Sequence, residues 1–153
     1  MQLYTDGSFS SKTKKGGWAV INPDHSTLQP QFFGSEQNTT NNRMEMKALI
    51  AALTYTLNWN MAHGVIVPHT IYTDSAYLVN CFEQKWYEAW RKNGWRNASK
   101  QPVKNQDLWE EILNLYEAQP NTTIAKVEAH CGEEYNELAD KYAVMAREGK
   151  LIQ

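Results

Sequence analysis

The fold is indicated first by the opening stretch Met1-Gln2-Leu3-Tyr4-Thr5-Asp6-Gly7-Ser8, in which a strand pattern is followed directly by a carboxylate and a glycine. Residues 1–5 predict a first strand, and Asp6 is expected just after it, where Asp-Gly favours a turn. Residues 17–21 predict a second strand and residues 30–35 a weaker third. Three strands in succession favour an antiparallel meander.

The rest of the chain alternates helices and strands, which favours parallel additions to that meander. Asn42 is the expected N-cap of the first helix, and Glu45, three residues later, would complete a capping box. We therefore predict an α/β fold with a mixed five-stranded sheet, three strands antiparallel and two added in parallel, flanked by helices. The predicted elements are a helix at 42–58, a strand at 69–73, a helix from Ser75, a helix at 105–118, a strand at 122–128 and a helix at 136–147.

Composition bounds the class of protein. The chain has 153 residues, 42% hydrophobic and 21% charged, which predicts one globular domain over 1–153. No apolar run is long enough to cross a membrane, and no signal-peptide pattern opens the sequence. Two cysteines exclude a disulfide framework. We expect a cytoplasmic monomer with no membrane contact and no obligate protein partner.

The net charge of −2 hides a strongly uneven distribution. The segment 85–104 holds six of the 15 cations and only one acid, Glu88, whereas 106–140 holds nine acids and the single base Lys126. Because local fields decide phosphate binding, the basic segment is a candidate nucleic-acid surface. Its cations are Lys85, Arg91, Lys92, Arg96, Lys100 and Lys104.

Four carboxylates lie at or near predicted element boundaries: Asp6, Glu45, Asp74 and Asp140. Each has an ordinary explanation, namely a turn residue, half of a capping box, an N-cap and a solvated helical acid. If the four converge, their repulsion and dehydration would be offset by hard cations, and oxygen ligands suit Mg²⁺ or Mn²⁺. Two such ions support phosphodiester cleavage. Spacing alone leaves convergence open.

Several motifs together resemble the type 1 ribonuclease H family, over essentially the whole chain. They are Tyr4-Thr5-Asp6-Gly7-Ser8, then Thr39-Thr40-Asn41-Asn42-Arg43-Met44-Glu45, then Thr73-Asp74-Ser75, and a late His130 followed by Asn136-Glu137 and Asp140. The resemblance implies cleavage of the RNA strand of RNA/DNA hybrids with two Mg²⁺ ions, Mn²⁺ being an alternative. It implies Asp6, Glu45, Asp74 and Asp140 as metal ligands and His130 as a mobile catalytic histidine.

The tryptophan-rich segment at about 83–109 resembles the basic handle of bacterial family members. The resemblance implies that it lies along the DNA strand, with Trp86 against a sugar or base, while Trp90, Trp95 and Trp109 form its small core. Bacterial relatives often carry a glutamine where this chain has Ala76, and Tyr77 would have to compensate. The substrate-binding residues implied for the hybrid are Lys12, Thr40, Asn41, Asn42, Arg43 (through its backbone), Trp86, Arg91, Lys92, Arg96 and Asn136.

Two alternatives stay open at this level. One is a related two-metal nuclease that acts on DNA or another nucleic acid, since fold does not fix function. The other is a noncatalytic hybrid-binding module. A nucleophilic pair of His130 and Cys131 is disfavoured, because adjacent side chains point apart. The remaining histidines, His25, His63 and His69, lack zinc-ligand spacing and are expected on the surface or in loops.

Overall fold

The computed structural model describes residues 1–25, 29–127 and 133–151, and these fold around one sheet. Its elements are β1 (Gln2–Phe9), β2 (Lys15–Ile21), β3 (Pro30–Gln37), α1 (Asn41–His63), β4 (His69–Thr73), α2 (Ala76–Gln84), α3 (Trp86–Lys92), α4 (Gln106–Glu117), β5 (Thr122–Lys126) and α5 (Glu133–Arg147).

The sheet has the strand order β3-β2-β1-β4-β5. The first three strands pair antiparallel, as in a meander. The last two join in parallel, β4 beside β1 and β5 beside β4. Helical connections precede both β4 and β5, as parallel pairing requires. The predicted mixed five-stranded α/β fold is confirmed.

The first strand is longer than predicted, and Asp6 lies within it instead of directly after it. Pairing with β2 continues past the acid, with Asp6 opposite Ala19, Gly7 opposite Trp18 and Phe9 opposite Gly16. The ladder of hydrogen bonds therefore overrides the local turn preference of Asp-Gly. As a result, Asp6 is held inside a strand rather than in a loop.

The first helix also begins earlier than predicted. Thr40 is its N-cap, in an extended conformation, and its side-chain Oγ1 accepts a hydrogen bond from the backbone N–H of Arg43. The predicted N-cap role of Asn42 is wrong, because Asn42 already lies in the first turn. Glu45 consequently completes no capping box there. The helix ends where Gly64 adopts a left-handed conformation with φ 62°.

The sheet separates two apolar layers, because alternate residues of β1 face opposite sides. Leu3 packs on one side with α1 and α4, through residues such as Leu49 and Ile112. Tyr4 packs on the other side with α5, through Ala139 and Ala143. The strand β1 is thus covered on both faces, and polar residues along it are drawn into the interior.

His69 contradicts the prediction of a surface or loop position. It begins β4, is only 2% exposed, and its Nε2 lies 2.8 Å from Oδ1 of Asn60 on α1. Burial lowers its pKa, as does the nearby terminal ammonium of Met1.

Within the described ranges, no helix combines the length and apolar character needed to cross a membrane.

Candidate active site

Asp6 and Asp74 are brought together by the parallel pairing of β1 and β4. The register sets Leu3 beside Ile71 and Tyr4 beside Tyr72, whose rings stack with centroids 4.8 Å apart. Two residues further along each chain, Asp6 and Asp74 emerge side by side. Asp74 follows the last residue of β4, at the edge where sites of α/β sheets collect.

Glu45 reaches the same point from α1, because β1 carries a glycine where the helix crosses it. A β carbon on Gly7 would lie 2.4 Å from the Glu45 amide nitrogen and 2.6 Å from the Met44 carbonyl carbon. Only a residue without a side chain permits this approach. The amide of Gly7 also donates a hydrogen bond of 2.9 Å to Oδ1 of Asp6, which fixes the acid.

These three carboxylates form a compact cluster. One oxygen from each of Asp6, Glu45 and Asp74 lies within 4.8 Å of the other two. Asp6 is 3% exposed and Glu45 5%, while Asp74 faces solvent. The Oε2 atom of Glu45 is buried without a hydrogen-bond partner. An orphaned buried carboxylate oxygen among oxygen ligands fits a hard divalent cation.

The electrostatics of the cluster favour an added positive charge. Burial, and then the charge of Asp74, raise the pKa of Asp6 to about 7. Burial, and then the charges of Asp6 and Asp74, raise the pKa of Glu45 to about 10. Burial raises the pKa of Asp74 as well. Without a cation, the cluster therefore holds protons that a metal ion would displace.

Asp140 approaches the cluster from α5. Its charge contributes to the raised pKa of both Asp6 and Asp74, which places it within electrostatic range of them. It is solvent-exposed. In the first turn of the same helix, Asn136 holds a buried Oδ1 atom with no hydrogen-bond partner. The predicted catalytic His130 lies outside the described residues.

The polar N-terminus of α1 borders the cluster. Thr40, Asn41 and Asn42 are exposed there, as a substrate contact requires. The guanidinium of Arg43 is instead committed within the protein. It donates to both carboxylate oxygens of Asp107, at 3.2 and 3.1 Å, and to Oδ1 of Asn105, at 3.2 Å. Only the backbone of Arg43 is left to serve the predicted substrate contact.

A cavity of about 540 Å³ separates the start of α1 from the tryptophan-rich segment. Its wall includes Asn42 on one side and Trp86, Arg96 and Lys104 on the other, with Tyr77 and Asn105 between them. The sequence interpretation missed Asn105, which has a left-handed φ of 63° before α4. An asparagine directly before a helical pattern was the available signal.

The tryptophan-rich segment has its own core and a partly neutralised surface. Trp90 lies 5.9 Å from Trp95 and 5.6 Å from Trp109, measured between ring centroids, as expected for core residues. Arg91 is paired at 2.8 Å with each carboxylate oxygen of Glu117. Within the described part of the chain, Lys92 and Arg96 form no ion pair and are exposed. Lys12 is exposed in the turn between β1 and β2.

The fold and the acidic cluster match a known family. The family model described as RNase H matches residues 1–148. The chain belongs to the ribonuclease H family. It is 40% identical over 143 residues to the ribonuclease H of Caldanaerobacter subterraneus subsp. tengcongensis, which covers 94% of this chain and 88% of that protein. It is 41% identical over 144 residues to the ribonuclease H of Chlorobaculum parvum, which covers 94% and 92%.

A solved structure of the family shows the same architecture. LC9-RNase H1, described as a type 1 RNase H with the type 2 active-site motif, superposes with a TM-score of 0.71 at 26% identity, covering 98% of this chain and 72% of that one. The resemblance stated from the sequence motifs is confirmed. The chain is a hydrolase of this family.

Proposed function

We propose that the chain cleaves the RNA strand with two divalent metal ions held by Asp6, Glu45, Asp74 and Asp140. The observation that carries this proposal is the meeting of Asp6, Glu45 and Asp74 within 4.8 Å around an unpartnered buried oxygen. Mg²⁺ is the proposed physiological ion and Mn²⁺ an alternative, because both accept carboxylate oxygens. When bound, such ions activate a water molecule and stabilise the leaving oxygen.

The four carboxylates differ in burial, and we propose that their roles differ accordingly. Glu45 and Asp6 are fixed inside the protein and supply rigid ligands, whereas Asp74 and Asp140 are exposed and face the substrate side. We assign His130 the transfer of a proton at the scissile phosphate, because imidazole exchanges protons near neutral pH. Asn136, half-buried in the first turn of α5, is proposed to contact the substrate nearby, as the family resemblance implies.

The hybrid is proposed to run from the start of α1 across the cavity to the handle at about 83–109. Asn41 and Asn42 would contact the minor groove, where the 2′-hydroxyl distinguishes RNA from DNA. Trp86, Lys92 and Arg96 would hold the DNA strand through its sugars and phosphates. Thr40, the backbone of Arg43 and Lys12 would seat a phosphate, and Arg91 would add a weaker contact.

A cleavage assay tests this proposal with a matched variant. A labelled RNA/DNA hybrid is incubated with Mg²⁺ or with chelator, using the wild-type protein, Asp74→Asn and Asp24→Asn. Asp24 is an exposed acid of the β2–β3 connection and serves as the control for loss of one negative charge. We expect metal-dependent cuts in the RNA strand that Asp74→Asn abolishes and Asp24→Asn leaves unchanged.

Other substrates separate the alternatives in the same experiment. Cleavage of duplex DNA at a rate similar to that of the hybrid would overturn hybrid specificity. Tight binding of the hybrid by a folded protein without any cleavage would overturn catalysis and favour a binding module. The single-domain organisation over 1–153, the monomeric state and the cytoplasmic location stay predictions, which chromatography with light scattering and cell fractionation would test.

A further inference from the structure

The fourth carboxylate, Asp140, belongs to a helix that does not carry the other three. Asp6 and Asp74 come from neighbouring strands, and Glu45 is held against β1 at Gly7. The position of Asp140 relative to them depends on where α5 lies along β1. A shift of α5 by a fraction of a helical turn would change the distance between Asp140 and Asp6 by more than a metal site tolerates.

One end of α5 is fixed by aromatic packing. The ring of Tyr135 lies 5.3 Å from that of Tyr4, which itself stacks on Tyr72. The middle of the helix packs through Ala139 and Ala143 against the same face of the sheet. Such apolar contacts bring the helix onto the sheet, but they are not directional and permit sliding.

The other end of α5 is fixed by a directional contact. Nη1 of Arg147 donates a 2.8 Å hydrogen bond to Oγ of Ser8, across 139 residues of chain. Ser8 is 9% exposed, so this hydrogen bond is largely shielded from water. Ser8 lies two positions after Asp6 on one strand face, and Arg147 lies seven positions after Asp140 on one helix face. The two pairs therefore lie at successive positions along the same helix–strand contact.

Gly17 lets α5 approach closely enough for this contact. It lies opposite Ser8 in the β1–β2 register. A β carbon there would be 2.3 Å from both the carbonyl oxygen of Ala143 and the amide nitrogen of Arg147. The backbone of α5 therefore contacts β2 at Arg147, and the Arg147 side chain extends from there to Ser8 on the neighbouring strand β1.

We infer that Arg147 and Ser8 are positioning residues that set the place of α5 along β1, and through it the distance between Asp140 and Asp6. The inference rests on the proposed metal-binding function of the four carboxylates. Arg147 touches neither the substrate nor the cluster in this account. Its consequence is specific: loss of the contact weakens the contribution of Asp140 to metal binding without altering how the hybrid is held.

The test measures metal binding directly, by calorimetric titration of the metal-free protein with Mn²⁺. In Arg147→Met and in Ser8→Ala we expect the Mn²⁺ dissociation constant to rise about tenfold, the lower range for changes beyond the direct ligands. The double variant should be no weaker than either single one, because both remove the same contact. Arg147→Lys keeps a donor and should restore part of the affinity. KM for the hybrid should stay unchanged.

Lys150→Met is the matched control, since it removes a cation three positions after Arg147, one that is paired with Glu148 as Arg147 is. It should leave the Mn²⁺ affinity unchanged. If Arg147→Met and Ser8→Ala lower the melting temperature yet bind Mn²⁺ as tightly as the wild type, the contact is merely structural and the inference is overturned. If the wild type itself binds no Mn²⁺, the proposed metal-binding function is overturned, and the inference that rests on it is overturned as well.

Discussion

The backbone of Gly7 in β1 lies against the backbone of Glu45 in α1, with no room between them for a side chain. A β carbon at Gly7 would come within 2.4 Å of the Glu45 amide nitrogen. The helix therefore touches the strand at the position that separates Asp6 from Ser8. This approach brings the Glu45 carboxylate close to Asp6, so the glycine beside the acid is part of the geometry of the cluster.

Gly7→Ala should therefore damage both stability and metal binding. The added methyl group meets backbone atoms of Met44 and Glu45, which cannot rotate away, so α1 must lift from β1. We expect a loss of about 2–4 kcal/mol in the free energy of unfolding, in the range of overpacked cores and strained backbone. Urea denaturation measures the loss, and Mn²⁺ titration should show weakened binding.

Gly64→Ala provides the comparison. Gly64 caps α1 with a φ of 62°, but a β carbon there has nothing within 4 Å. Its replacement should cost about 1 kcal/mol through backbone strain alone and leave Mn²⁺ affinity intact. Equal losses of stability in the two variants, with unaltered metal binding in both, would contradict the role assigned to the Gly7–Glu45 contact.

The acidic cluster predicts that the metal-free protein loses stability as pH rises. Asp6 and Glu45 have raised pKa values in the folded state, to about 7 and about 10. The unfolded chain ionises these carboxyls near pH 4, whereas the folded protein keeps their protons to higher pH. Their contribution is therefore complete below about pH 4 and declines as pH rises towards 7 and above.

Asp6→Asn should remove part of this penalty. At pH 8 in chelator, we expect it to raise the free energy of unfolding by on the order of 1–3 kcal/mol, and the melting temperature with it. At pH 4 the difference from the wild type should vanish. Thermal melts across pH 4–9 measure this, with Asp24→Asn as the control. A variant no more stable than the wild type at pH 8 would contradict close packing of charged carboxylates.

Local patterns predicted the order of the elements well, because strand and helix periodicities repeat within short windows. The strand at β4 and the helices around residues 105–118 and 136–147 are found with small shifts at their ends. The errors came from contacts between distant segments. Asp6 was expected to follow β1, but the pairing with β2 continues across it, so the acid lies inside the strand. His69 was expected at the surface or in a loop, but it is buried, and its Nε2 lies within hydrogen-bond distance of Oδ1 of Asn60 on α1.

The candidate site was less accessible to pattern analysis than the fold. The meeting of Asp6 and Asp74 depends on the register of β1 with β4, and that of Glu45 depends on a glycine contact. Neither follows from spacing along the chain, so the grouping came from the family resemblance. The pairing of Arg43 with Asp107 is also invisible in the sequence, because 64 residues separate the two.

The ion pair between Arg91 and Glu117 divides the handle cations into two classes. Arg91 is held by a carboxylate at 2.8 Å, which lowers the pKa of Glu117 and offsets the positive charge. Lys92, exposed next to it, has no such partner among the described residues. Lys92→Gln should therefore raise KM for the hybrid severalfold and reduce its salt dependence by about one phosphate contact, and Arg91→Gln should do less.

Glu117→Gln is the decisive variant for this division. It frees the Arg91 guanidinium, so we expect a lower KM and a steeper dependence of KM on salt, with kcat unchanged. Glu110→Gln, which removes an exposed acid from the same helix, is the control. If Arg91→Gln and Lys92→Gln weaken binding equally while Glu117→Gln has no effect, the pair does not modulate the handle.

The pair of Arg43 and Asp107 predicts an effect on the substrate groove rather than on stability. The two side chains join the first turn of α1 to the first turn of α4, and Arg43 also holds Asn105 on the cavity wall. Because the pair is partly exposed, its loss should cost about 1 kcal/mol or less in stability. Asp107→Asn and Arg43→Met should instead widen the cavity between Asn42 and the handle. We therefore expect each variant to raise KM by a factor several times larger than the factor by which it lowers kcat.

The reversed pair, Arg43→Asp combined with Asp107→Arg, separates geometry from charge. It restores the link between the helices while leaving the net charge unchanged, so KM should return towards the wild-type value although each single reversal raises it. Steady-state kinetics on one hybrid at fixed salt measures all four proteins. If the reversed pair keeps the high KM, the Arg43 side chain acts on the substrate directly and not only through its pair with Asp107.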